Sequence, residues 1–257
     1  WEGLASVDPL FEAIRNAPED VRGQINGDFG QINEMATEGG IRTLIDEGRF
    51  RGLDLGSALQ GVGGLEDQAL RVFLDCPAAG GRRSLFDVAK EFNRADNLPG
   101  RSWRKRSGVP IIPHAKSPDD ESAWELEEGR KRLEEALSSY YKVKEGRGHR
   151  CTVEHYERDS RLYWFAYVQD YEEARIEYGD TGLERRTCKP AFEVIFVHSN
   201  AERSLDIFVK GDKRTVAELQ TLWGRAVLDT DDLGTPPEGG VEYELNVLKT
   251  TRELPFR

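Results

Sequence analysis

The hydrophobic pattern of the chain is most regular between residues 151 and 210. Short runs rich in β-branched and aromatic side chains recur there about every ten residues, and polar turns separate them. This spacing is typical of antiparallel strands that form a meander. The segment 215–228 changes to a hydrophobic period of about 3.6 residues, which predicts a helix laid across one face of the sheet.

The pattern also distinguishes the strands from one another. Residues 162–168 are apolar on both faces, as in an interior strand, whereas residues 174–178 alternate between apolar and charged side chains. Residues 191–198 and 203–210 flank the polar turn Ser199-Asn200-Ala201-Glu202 and predict a hairpin in which His198 pairs with Arg203. A returning strand is predicted at residues 241–247, where every second side chain is apolar.

The first 94 residues predict an all-helical region. Helix-start signals occur at Asp8-Pro9, at Pro18 and at Ser84, and the pair Gly39-Gly40 predicts a helix end. The helix that follows Pro18 contains three glycines, each of which costs roughly 1 kcal/mol relative to alanine. These glycines, at positions 23, 27 and 30, predict either a broken helix or the close approach of a partner helix or ligand.

Residues 95–120 follow neither the helical pattern of the first 94 residues nor the strand pattern of residues 151–210. Pro99, Pro110, Pro113 and Pro118 disfavour a regular helix or a central strand, so the segment is interpreted as a proline-rich basic connector or a long surface loop. A charged helix with one apolar side is predicted over residues 120–144. The predicted class is therefore α+β, with an all-helical region at 1–94, the connector, and an α+β domain at 121–257. Its antiparallel sheet has about six or seven strands covered by helix.

Composition limits the environment of the protein. The 257 residues include 36 basic and 47 acidic side chains, and the net charge of −11 disfavours nonspecific adhesion to nucleic acid or anionic lipid. Three scattered cysteines, Cys76, Cys151 and Cys188, suit free thiols in a reducing cytoplasm. The sequence has no twenty-residue apolar run, and no membrane association is predicted. It begins at Trp1 rather than with methionine, which leaves open that it is a piece of a longer protein.

A basic cluster in the connector is the first candidate site. Its cations match phosphate groups and its indole ring can stack on a base, which predicts nucleic-acid binding by Arg101, Trp103, Arg104, Lys105 and Arg106. A second basic stretch occupies residues 142–150. The alternative is a solvated loop whose arginines pair with the acidic run at residues 119–128.

A second candidate follows from the predicted hairpin register. Pairing His198 with Arg203 places Glu193 beside Asp206 and Lys210 on one sheet face. Two carboxylates can hold a divalent cation and a lysine can stabilise phosphate charge, as in metal-dependent phosphodiester cleavage. The alternative is a solvated face with a cross-strand ion pair, and a register shift of one residue would separate the three groups.

Metal and cofactor signals are weak. The potential zinc ligands His149, Cys151, His155 and Cys188 lack the regular spacing of structural zinc sites, so neither a metal nor a cofactor is predicted. No cofactor loop or nucleophile elbow is recognisable.

Two functional hypotheses remain from the sequence. The first is a non-catalytic component of a larger assembly, which recognises a protein or nucleic-acid partner through the helical region and the basic connector. The second is a nuclease or related phosphodiesterase that uses Glu193, Asp206 and Lys210. The sequence leaves the oligomeric state open.

Overall fold

A computed structural model describes residues 7–78, 83–98, 103–112, 121–158, 160–179 and 182–234. The chain forms two compact units, Trp1–Leu98 and Pro99–Arg257, and the boundary lies just beyond the predicted end of the helical region. The α+β class and the antiparallel sheet are confirmed. The strand predicted at 241–247 and the basic residue Arg101 lie outside the described residues.

The described part of the first unit is entirely helical. Its helices are α1 (Asp8–Asn16), α2 (Glu19–Met35), α3 (Glu38–Phe50), α4 (Leu55–Ala58), α5 (Leu65–Asp75) and α6 (Leu85–Asp96). They enclose a core in which the largest fully buried side chains are Phe86, Met35, Leu44 and Leu85. The sequence predicts the starts of α1, α2 and α6 and misses α3.

The N-terminal caps of α6 and α3 explain why the first helix is predicted and the second is missed. Ser84 caps α6 as predicted, because its hydroxyl oxygen accepts a hydrogen bond from the Asp87 amide at 2.9 Å. Thr37 caps α3 in the same way by accepting from the Gly40 amide at 3.0 Å. The prediction of a helix end at Gly39-Gly40 is therefore wrong, since both glycines lie in the first turn of α3.

The three glycines of α2 do not break the helix. α2 is continuous from Glu19 to Met35, and an added methyl group at Gly23, Gly27 or Gly30 would meet no atom within 4 Å. All three positions are exposed. Gly40 differs, because a methyl group there would overlap the Met35 carbonyl oxygen.

The described part of the second unit contains seven strands and two helices. These are β1 (Trp103–Ser107), α7 (Glu121–Glu145), β2 (Cys151–Arg158), β3 (Arg161–Gln169), β4 (Glu173–Gly179), β5 (Gly182–Cys188), β6 (Ala191–Ser199), β7 (Ser204–Phe208) and α8 (Lys213–Leu228). Five strands form an antiparallel sheet in the order β1-β7-β6-β3-β2, and β4 and β5 form a separate pair. Residues 162–168 thus belong to an interior strand, as predicted.

The sequence analysis misses strand β1. This strand lies within the segment interpreted as a connector and pairs antiparallel with β7, from Trp103 opposite Phe208 to Ser107 opposite Ser204. Prolines limit the segment without preventing the strand, because none occurs between residues 103 and 107. An edge position also tolerates nearby proline, since only one side of the strand is paired.

The core of the second unit lies between the inner face of the sheet and helices α7 and α8. Leu133, Leu137 and Tyr141 of α7 are buried there, as the sequence predicts. From α8, Trp223 packs edge-to-face on Trp164 with ring centroids 5.3 Å apart, and it stacks on His198 at 5.6 Å. All three of these side chains are fully buried.

Helix α8 begins at Lys213, two residues before the segment 215–228 that the sequence predicts. Asp212, rather than Thr215, is the N-cap, and its carboxylate accepts from the Thr215 amide at 2.8 Å. The Glu218 carboxylate, one turn further along α8, accepts hydrogen bonds from Lys144 and Tyr140 of α7. These donors lower the pKa of Glu218 to about 2.

The turn between α7 and β2 is fixed by Arg147. Its guanidinium lies 4.0 Å from the centroid of the Phe192 ring and 5.5 Å from those of Tyr141 and Tyr171. It also donates to Asp170 at 2.7 Å. Cation–π contacts and charge-assisted hydrogen bonds therefore join this turn to β6 and to the segment after β3.

We expect replacement of Gly23, Gly27 and Gly30 together by alanine to stabilise the protein by up to about 1 kcal/mol per site. The open surroundings accept a methyl group, and alanine lowers the entropy of the unfolded chain. Urea unfolding of the helical signal measures the change. Gly40→Ala is the matched control and should destabilise; a destabilised triple variant would contradict the exposed placement of these glycines.

We expect Arg147→Ala to destabilise the second unit by about 3 kcal/mol, because it removes charge-assisted hydrogen bonds and stacking together. Arg147→Lys should lose less, since it keeps the charge but not the planar group. Thermal unfolding followed through tryptophan fluorescence distinguishes the two variants. Equal losses would show that the aromatic contacts contribute nothing.

Candidate functional site

The edge strand β1 carries the predicted basic cluster. Arg104 is exposed, and its Nη1 donates to the Trp103 carbonyl oxygen at 3.0 Å. Arg106 is partly buried and donates to the Gly234 carbonyl oxygen at 3.2 Å. The Trp103 ring packs on Phe208 with centroids 5.7 Å apart. The structure thus brings the four described members of the cluster onto one strand but engages each of them within the protein.

Lys105 belongs to an ion-pair network at one end of the sheet. Its ammonium group contacts Glu202 in the turn between β6 and β7, and Arg161 of β3 contacts the other oxygen of Glu202 at 3.0 Å. The hydrogen bond from Lys105 lowers the pKa of Glu202. Asp206, opposite Lys105, has a raised pKa because it is buried, although the Lys105 charge acts in the other direction.

The outer face of the five-stranded sheet is rich in aromatic residues. Residues directly opposite one another share a face, so the register gives two rows across the five strands. The first row consists of Trp103, Phe208, Ile195, Phe165 and Glu154. The second row consists of Lys105, Asp206, Val197, Tyr163 and Tyr156. Phe165 and Ile195 at the centre are fully buried, and Trp103, Phe208 and the tyrosines are partly exposed. The face therefore combines an apolar centre with a rim of mixed charge.

The two edges of this sheet differ. At the β2 edge, the Val153 amide donates to Glu134 and the Val153 carbonyl oxygen accepts from Arg130, both at 3.0 Å. Side chains of α7 thus satisfy the outward backbone groups of β2. At the β1 edge, no strand among the described residues pairs with the open side. β1 is therefore an edge strand whose outward side is paired with no described strand.

The second basic stretch does not join the first. Its residues flank β2, whereas the first cluster lies on β1, and the two strands are the opposite edges of the sheet. Four strand spacings separate them, or roughly 19 Å. Lys144 contacts Glu218, and Arg147 contacts Asp170, so both cations are engaged within the protein.

The predicted register of the β6–β7 hairpin is wrong by two residues. Ser199 pairs with Ser204, and Asp206 lies opposite Val197 rather than diagonal to Glu193. The cause is Arg203, which has a left-handed φ of 48° and belongs to the turn. Glu193 and Val197 are four residues apart on β6, so the two carboxylates are separated by roughly 13 Å along the sheet. Lys210 is exposed and lies beyond the end of β7.

The potential zinc ligands are distributed over different elements. Cys188 lies in the two-stranded sheet, with its sulfur 3.5 Å from the Glu173 carbonyl oxygen. Burial raises the pKa of Cys151 to about 12, so its thiol is protonated at neutral pH. His155 faces Glu127 of α7 at 3.8 Å. No group of three metal-ligating side chains occurs within the described residues.

A groove between α7 and α8 has no counterpart in the sequence analysis. Its volume is about 870 Å³, and it is lined by side chains that include Tyr140, Ala217, Leu222, Arg132 and Arg225. The two helices approach closely at Gly129 of α7, where an added methyl group would lie 3.4 Å from Val227 Cα. The small residues on the two helices are the sequence signal that could have indicated this surface.

Comparison with known proteins gives no functional assignment. No protein-family model, curated protein or solved structure matches the chain. Across the part of the chain that the structure describes, no helix is both long and apolar enough to cross a membrane.

We expect the free energy of unfolding to fall as the pH decreases from about 7 to 5, partly because of His155. Burial lowers the pKa of His155 below 6.5; nearby Glu127 acts against this shift and Arg130 adds to it. The unfolded chain then binds a proton at His155 more readily than the folded chain, so stability rises with pH. Urea unfolding across this range should give a smaller slope for His155→Asn. An unchanged slope would contradict the effect of burial.

Proposed function

We propose that this protein is a non-catalytic component of a larger assembly and recognises a protein partner through the β1 edge. The observation that supports the proposal is the position of this basic strand at a sheet edge with which no described strand pairs, whereas α7 side chains bind the Val153 backbone groups at the other edge. Strand edges of this kind bind extended segments by main-chain hydrogen bonds.

The charges around β1 favour a protein over a nucleic acid as the partner. Phosphate binding depends on several cations that are available together. Lys105 is compensated by Glu202, and Arg106 donates to a backbone carbonyl oxygen. The outer sheet face also carries the acidic residue Asp206 next to β1, and Glu154 lies on the same face at the opposite edge. A peptide strand needs fewer cations, because its backbone supplies much of the binding energy.

The aromatic residues beside the edge support the same proposal. Trp103 and Phe208 form a partly exposed pair at the boundary between β1 and the outer face. Tryptophan is enriched among the residues that contribute most to protein interfaces. A partner strand at β1 would lie next to this pair.

The test compares partner retention by wild-type protein, Arg104→Glu and Arg185→Glu under identical conditions. Arg185 is the matched control, because it is an exposed arginine on β5, outside the five-stranded sheet. We expect one polypeptide to be retained stoichiometrically by wild type and by Arg185→Glu and to be lost with Arg104→Glu. Nuclease treatment should leave this retention unchanged.

Two results would overturn the proposal. The first is a partner set that is the same for all three proteins. The second is retention that nuclease abolishes, combined with binding of a single-stranded oligonucleotide that weakens with salt and with Arg104→Glu. The second result would identify β1 as a nucleic-acid site.

A further inference from the structure

The last described residue, Gly234, lies beside strand β1. Its carbonyl oxygen accepts a hydrogen bond from Arg106 of β1 at 3.2 Å. A methyl group at Gly234 would overlap the Gly108 carbonyl oxygen, one residue beyond the end of β1. The preceding residue, Leu233, is buried in the core of the second unit. The position from which residue 235 continues is therefore fixed next to the carboxyl end of β1.

The sequence after Gly234 has the composition of a turn and then the pattern of a strand. Residues 235–240 contain two prolines and two glycines, which are typical of a turn. Residues 241–247 read Val-Glu-Tyr-Glu-Leu-Asn-Val, so every second side chain is apolar. Both ranges lie outside the described residues. An extended chain of seven residues spans at most roughly 25 Å, so a strand at 241–247 begins within reach of β1.

Strand β1 is the sheet edge that lies next to Gly234. No strand within the described ranges pairs with its outward side, whereas the Val153 backbone groups at the β2 edge bind to Arg130 and Glu134. The β2 edge is also four strand spacings away, or roughly 19 Å. A segment that starts at the carboxyl end of β1 and follows this strand runs antiparallel to it, as neighbouring strands do throughout the described sheet.

The outer face next to β1 suits the apolar side chains of the segment. Trp103 lies on this face with Phe208, and both rings are partly exposed. Successive side chains of a strand point to opposite faces. When Tyr243 and Leu245 pack beside these rings, the glutamates that alternate with them along the segment lie on the other face of the sheet.

Arg106 lies on that other face and carries a donor that the described residues leave unsatisfied. Its Nη2 donates to Gly234, but its Nε is buried and has no hydrogen-bond partner among the described residues. A buried donor without a partner costs free energy, so folded proteins usually satisfy such groups. A glutamate opposite Arg106 in a neighbouring strand supplies a carboxylate for this nitrogen and thus a charge-assisted hydrogen bond.

We propose that residues 241–247 add a strand to the five-stranded sheet, antiparallel to β1, with Glu242 opposite Arg106 and Leu245 opposite Trp103. This register pairs every residue of β1 and leaves residues 235–240 as the turn. The segment then occupies the edge to which the proposed function assigns a protein partner, so the partner has to displace it. The competition rests on the proposed function, whereas the pairing does not.

Hydrogen exchange of the full chain, measured by mass spectrometry, tests the pairing. We expect the amides of residues 241–247 to exchange at least about tenfold more slowly than in an unfolded chain. Tyr243→Pro together with Glu244→Pro should remove this protection and speed exchange of residues 103–107. The reason is that one of any two successive amides in a strand faces the same neighbouring strand, and proline has no amide proton to donate.

The matched control carries its prolines beyond the segment. Thr250→Pro together with Thr251→Pro should exchange like wild type in both ranges. Two outcomes would overturn the pairing. One is exchange of residues 241–247 at the unfolded rate in wild type, and the other is exchange of residues 103–107 that the prolines within the segment leave unchanged.

Charge exchange tests the register. Glu242→Arg places like charges opposite each other and should reduce the protection of residues 241–247 severalfold. The addition of Arg106→Glu should restore most of this protection, since the ion pair is then reversed. Arg106→Glu with Glu244→Arg is the matched control and should restore nothing. Unchanged protection in Glu242→Arg, or restoration in the control alone, would overturn the register.

Partner retention distinguishes failure of this inference from failure of the proposed function. With the partner limiting, Tyr243→Pro together with Glu244→Pro should retain several times more of it than wild type does, because the edge is then free. An unprotected segment, combined with a partner that Arg104→Glu loses, would overturn the pairing and keep the proposed function. A protected segment whose disruption leaves partner retention unchanged would keep the pairing and overturn β1 as the partner site.

Discussion

The backbone groups at the edges of the five-stranded sheet are the constraint on which the second unit depends. An unpaired strand edge is a template for association with other chains, and folded proteins protect such edges. At β2, Arg130 and Glu134 of α7 contact both the carbonyl oxygen and the amide of Val153. This arrangement also sets the position of α7 on the sheet. At β1, the basic side chains of Arg104, Lys105 and Arg106 follow one another along the strand, and charged side chains of this kind disfavour edge-to-edge association.

The two faces of the sheet have different roles as a result. The inner face is closed by the buried contacts among Trp164, His198 and Trp223, which hold α8 against β3 and β6. The outer face has a buried apolar centre, but its rim contains Trp103 and an ion-pair network around Glu202. Packing on the inner face thus also holds the edge strand β1 in place, because β1 is paired with β7.

Local signals in the sequence predict local structure well. The interior strand at residues 162–168 and the apolar side of α7 are both confirmed, because burial of two faces or of one stripe determines each element. Helix α3 is missed because a glycine pair usually ends a helix, whereas here Thr37 caps a new one. The hairpin register is missed because Arg203 has a left-handed φ of 48° and belongs to the turn. The same turn also makes a contact that no local pattern reports, since the Asn200 side chain bonds both backbone groups of Ile112, 88 residues away in the chain.

At the candidate site, too, the sequence identifies neighbouring residues but not the contacts that they make with distant parts of the chain. The sequence identifies the basic residues of β1, yet it predicts phosphate binding because the compensating Glu202 is 97 residues from Lys105. At physiological salt, the screening length of about 8 Å makes these nearby charges more important to a partner than the net charge of the chain. Once Glu202 is included, the local positive excess around Lys105 is small. A small local excess of positive charge is a weak basis for holding a polyphosphate chain.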